Sequence, residues 1–133
     1  ERVWPILRYI YATNIGCDIF RQRKSVKLQV LVAAPGMEFI TGDQPAVNTY
    51  GAFVPARTEI KELELFYPVS PARAVILSGH SVYQDMHGKA LEPLRMAYLN
   101  QALERIAYEQ LFAHSDEALK PLAPYFCLRP PAR

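Results

Sequence analysis

Asp43 ends the apolar run Phe39-Ile40-Thr41-Gly42 and is followed by Gln44-Pro45, so a single carboxylate stands where a strand pattern gives way to a turn. Such a carboxylate has two uses. It can accept hydrogen bonds from nearby backbone amides and hold the turn. Displayed at a strand end beside a long loop, it can instead bind a metal ion or handle a proton. Joined by Glu59 of Glu59-Ile60-Lys61, or by Glu62, Asp43 would complete a metal-dependent hydrolase or nuclease. The carboxylates would hold Mg²⁺ and Lys61 would stabilise charge on the attacked phosphate. Against this, Glu-x-Lys is a common tripeptide, and Glu62 and Glu64 fall on the solvent side of an alternating strand pattern.

The other chemical groupings are weaker. His80 and His87 flank Asp85 in a polar stretch, but the spacing fits neither a helical face nor a finger, and surface polarity accounts for it. Ser78-Gly79-His80-Ser81 lacks the Gly-x-Ser-x-Gly elbow, and no glycine-rich phosphate loop occurs. Cys17 and Cys127 form no Cys-x-x-Cys pair and read as two buried free thiols. No metal or cofactor is therefore expected.

These residues need elements to position them. Trp4, Leu7, Ile10, Tyr11, Asn14 and Ile15 recur at helical spacing and predict a first helix ending near Gly16, while residues 18–27 fit either a helical extension or a surface loop. Lys27 to Val32 alternates and is β-branched, Pro35-Gly36 supplies a turn, and Met37 to Thr41 resumes as a strand, which predicts a β-hairpin. Gly42 to Thr58 reads as a long loop. Glu62 to Tyr67 and Arg73 to Leu77 read as antiparallel neighbours, with Pro68 to Pro71 breaking the pattern between them. The strongest periodicity runs over residues 91–113 and predicts one long helix starting near Glu92 with Pro93 in its first turn, closed by His114. Tyr98, Tyr108 and Phe112 lie within that pattern and read as core. Ser115 then caps a short helix begun by Asp116 and Glu117, and residues 121–133 form an extended Pro-rich tail.

Composition bounds the rest. A chain of 133 residues, half of it apolar, suits one domain. Fifteen basic against thirteen acidic residues leave +2, too little for a nucleic-acid footprint, and the basic group Arg21, Arg23, Lys24 and Lys27 reads as solvated surface. No apolar run approaches the roughly 20 residues of a membrane span, and the opening residues carry no secretory pattern. A cytoplasmic setting without membrane contact is expected. The chain starts at Glu1 in mid-pattern and reads as a piece of a longer protein.

Three segments in order, Phe39-Ile40-Thr41-Gly42-Asp43-Gln44-Pro45, Tyr67-Pro68-Val69-Ser70-Pro71 and Leu99-Asn100, resemble the uncharacterised bacterial family labelled domain of unknown function 4238. The likeness covers roughly residues 27–115, with Val69 where that family usually has Leu. It implies no activity. It implies that the chain is the C-terminal part of a longer protein, with the preceding N-terminal part as a partner, and it singles out Thr41, Asp43, Ser70 and Asn100 as polar groups that must be hydrogen-bonded between apolar elements. They are expected to converge where sheet meets helix.

The expected fold is α+β: a small, mainly antiparallel sheet of about four strands packed on the long C-terminal helix, with the first helix alongside. The expected function is a scaffold or interaction module without chemistry of its own, homo-oligomerisation being left open. The alternative is the hydrolase or nuclease built on Asp43 with Glu59 or Glu62.

Overall fold

The computed structural model describes residues 4–55, 58–60 and 62–122. Its elements in chain order are α1 (Trp4–Gln22), β1 (Lys27–Val32), β2 (Thr41–Gly42), β3 (Val47–Asn48), α2 (Thr49–Ala52), β4 (Glu64–Ser70), β5 (Arg73–Ser78), α3 (Pro93–Ile106), β6 (Leu111–Phe112) and α4 (Asp116–Leu119). The fold is α+β, with a four-stranded antiparallel sheet in the order β1-β5-β4-β3 and a separate β2-β6 pair.

Period-two patterning builds the sheet. Gln29 and Leu31 of β1, Glu64, Phe66 and Pro68 of β4, and Ala74, Ile76 and Ser78 of β5 are buried positions of these three strands. Leu31, Phe66, Ala74 and Ile76 among them make the core with Val47 and with Met96, Leu99 and Leu103 of α3. Each large apolar side chain buried there contributes about 1.5–3 kcal/mol. The β4-β5 pairing expected from sequence is present. So is the start of α3, with Glu92 as N-cap and Pro93 in the first turn, where its missing N–H costs nothing.

Other expectations are corrected. Residues 27–32 and 37–41 form no hairpin: β1 pairs with β5 along its whole length, from Lys27 opposite Ser78 to Val32 opposite Arg73. The reason lies in α3. The Asn100 side chain accepts a hydrogen bond from the Ile40 amide and donates one to the Glu38 carbonyl, and the Phe39 amide donates to Pro71 O, so these backbone groups are already engaged. The far edge of β1 is covered by the chain at 87–91, through Gly88 N–H to Val30 O, Val32 N–H to Lys89 O and Leu91 N–H to Val32 O.

The single long C-terminal helix is likewise not found. α3 has 14 residues, lies mid-chain and stops at Ile106, and the longest helix is the N-terminal α1, of 19 residues. Leu111 and Phe112 are strand, paired with Gly42 and Thr41, so His114 closes no helix. β4 runs through Pro68 to Ser70 with a bulge instead of breaking. Proline is tolerated there because β3 pairs β4 only at Leu65 and Phe66, which leaves one side of Pro68 without a strand. The loop expected over residues 42–58 contains β3 and α2.

α1 extends past Gly16 to Gln22, and every side chain from Leu7 to Asp18 is exposed, including the Cys17 thiol that was expected to be buried, while Cys127 lies outside the described residues. α1 was expected alongside the sheet, yet it contributes no buried residue from Leu7 onward. Among the described residues no helix is long and apolar enough to cross a membrane. The expected tail lies outside the described residues beyond Leu122.

Candidate functional site

Gly42 and Asp43 sit where β2 meets the chain leaving α3. A Cβ on Gly42 would lie 2.9 Å from Gln110 O and 3.0 Å from the Ala107 Cβ, so only glycine allows this approach. Asp43 N–H then donates to Gln110 O at 3.2 Å, while its two carboxylate oxygens accept from Tyr108 N–H at 2.8 Å and Glu109 N–H at 2.7 Å. Partial desolvation pushes this carboxyl up, but the amides of Tyr108, Glu109, Gln110 and Gln44 outweigh it and hold it below its ordinary value. Asp43 is thus an exposed latch that receives the end of α3, and it explains why the helical pattern stops short of residue 113.

The four polar residues singled out by sequence divide. Asn100, 6% exposed, ties residues 38–40 to α3 with bonds of 3.3 Å to Ile40 N–H and 2.9 Å to Glu38 O. Ser70 Oγ accepts from Arg73 N–H within its own turn at 3.1 Å. Thr41 and Ser70 line one shallow groove of about 340 Å³, together with Pro68, Pro71 and Phe112. The side-chain bonds of Asp43, Ser70 and Asn100 run to three separate backbone stretches.

A second latch went unread in the sequence. The Glu38 carboxylate accepts from Ser115 N–H at 2.7 Å and from Ser115 Oγ at 2.8 Å, and these bonds hold it below its ordinary value. Ser115 precedes α4 but its side chain makes no capping bond.

The proposed metal set is dispersed in role. Glu59 and Glu62 are exposed, the Glu62 carbonyl accepts from Asn48 Nδ2 at 3.1 Å, and Lys61 lies outside the described residues. Among the described residues no three His, Cys, Asp or Glu side chains gather to hold a metal ion. His80 Nδ1 accepts from Val82 N–H, and His87 Nδ1 accepts from Val30 N–H. The two imidazoles therefore each serve backbone.

The strongest buried polar grouping is one that sequence reading placed outside. Glu64 is 4% exposed and accepts from Thr49 Oγ1 at 2.6 Å and Ser78 Oγ at 2.9 Å. It lies inward because Phe66 and Pro68, in phase with it, lie inward. Nearby Tyr83 and Tyr98 have their phenols pushed up, first by burial and then by the Glu64 charge. The signal available was the phase shared with Phe66.

No family model matches the chain, and no curated protein and no solved structure matches it.

Proposed function

We propose that this chain is an interaction module in which the α+β body is a scaffold and α1 is the docking element. The observation that carries the reading is the exposure of Leu7, Tyr9, Ile10, Tyr11, Ile15 and Phe20 on one 19-residue helix. A helix apolar on most sides is ordinarily buried, and an isolated helix of this length is marginal in water. The latches at Asp43 and Glu38 fit a scaffold, since their carboxylates hold backbone. The hydrolase reading would have Asp43 ligate an ion with oxygens that already accept from two amides, where among the described residues no three His, Cys, Asp or Glu side chains gather to hold a metal ion. The exposed free thiol of Cys17 suits a reducing, cytoplasmic setting. Membership of the family labelled domain of unknown function 4238 is part of the same proposal.

The test is a photoreactive residue placed at Ile15 on α1, or at Val69 on the body, in the producing cell. The reading expects a discrete adduct from Ile15 and none from Val69. An adduct from Val69 alone, or from neither, overturns it.

A further inference from the structure

We infer that α1 docks on α1 of a second copy of this chain, as an antiparallel helix pair centred on Thr13. The inference rests on the reading of α1 as the docking element and names its partner. Arg8, Tyr11, Ile15 and Asp18 recur at alternating spacings of three and four, the pattern of a coiled-coil seam, and Leu7 flanks them. Leu7, Tyr11 and Ile15 are 36%, 58% and 56% exposed. A seam carrying one basic and one acidic residue is costly against a neutral apolar surface, because both charges would be desolvated without partners.

Against a second copy the costs cancel. Positions equidistant from Thr13 face one another in an antiparallel pair, so Arg8 meets Asp18 of the second copy and Asp18 meets its Arg8. Tyr11 and Ile15 meet Ile15 and Tyr11. This contact is isologous and closes as a dimer. A parallel pair would instead set Arg8 against Arg8 and Asp18 against Asp18. Among the described residues of one chain Asp18 pairs with Arg21, at 3.3 Å on an exposed surface, a weak contact readily exchanged. The pairing leaves the sheet, both latches and the core untouched.

Sedimentation of the purified chain across the micromolar range tests this. The wild type is expected to dimerise. Arg8→Asp and Asp18→Arg, each alone, set like charges in both layers and should weaken the dimer at least about tenfold. Mixed one to one, the two variants should recover it as a heterodimer, since the acidic helix then faces the basic one in both layers. A photoreactive residue at Tyr11 should couple next to Ile15 of the second copy, and this readout stands even where a charge variant loses helicity by circular dichroism. A monomeric wild type, single variants that dimerise like wild type, a mixture no tighter than its parts, or coupling at Tyr11 itself would each overturn the pairing. A monomer that binds phosphatidylserine vesicles, or whose Ile15 adduct has a mass other than twice the chain, overturns the second copy while leaving α1 a docking element.

Discussion

At the scale of single residues, Asp43 and Glu38 do by side chain what a longer helix or a hairpin would have done by backbone. Asp43 reaches 65 and 66 positions along the chain to Tyr108 and Glu109, and Glu38 reaches 77 to Ser115. Both carboxyls titrate below their ordinary values. Each therefore contributes stability that is present above the unfolded-state pKa of about 4 and is lost as pH falls through the lower folded value. Melting temperature should drop as pH is lowered through and below that range, and Asp43→Asn should make the drop shallower while lowering stability at neutral pH. An unchanged acid profile would count against the latch. Glu64 carries a larger penalty because it is buried. Glu64→Ala removes the acceptor of the Thr49 and Ser78 hydroxyl protons and leaves a hole in the core, and should cost about 2–4 kcal/mol in urea unfolding. Glu64→Gln keeps the shape and one acceptor and should cost less. The latch role of Asp43 was half legible, since an Asp at a turn is expected to bind amides. Which amides was not, because the sequence holds no mark of a contact so distant. Glu64 was misread because Leu63 and Leu65 alternate as convincingly as Glu64 and Phe66 do.

At the scale of elements, local pattern was trustworthy where partners were local and failed where a tertiary side chain took the backbone first. β4 and β5 follow each other closely and were read as neighbours; β1 was assigned to the following segment, which Asn100 removes from pairing. Asn100→Leu keeps the size and deletes both bonds. It should cost about 1–3 kcal/mol and speed hydrogen exchange of the Ile40 amide, while exchange in β5 stays slow. Leu111 and Phe112 keep step with the helix by coincidence of spacing, and the approach at Gly42 draws them into β6 instead. Gly42→Ala must displace Gln110 or Ala107. It should destabilise by about 1–3 kcal/mol, read as a lower urea midpoint with an unchanged slope.

At the scale of the whole molecule, two parts obey different rules. The body from β1 to α4 has its core around Phe66, Leu31 and Met96, whereas α1 presents its apolar residues to solvent from Leu7 to Ile15. On the proposed reading, such a helix is maintained by the partner it docks on. The sequence signalled α1 as a helix but put it alongside the sheet and the long helix, because apolar spacing marks a face without saying what lies against it. The most direct measurement is hydrogen exchange of the α1 amides in the purified chain at dilute and at concentrated protein. The account predicts that protection of Leu7–Asp18 rises with concentration while protection of β1, β4 and β5 does not change. Exchange of α1 that is equally fast, or equally slow, at every concentration would contradict it.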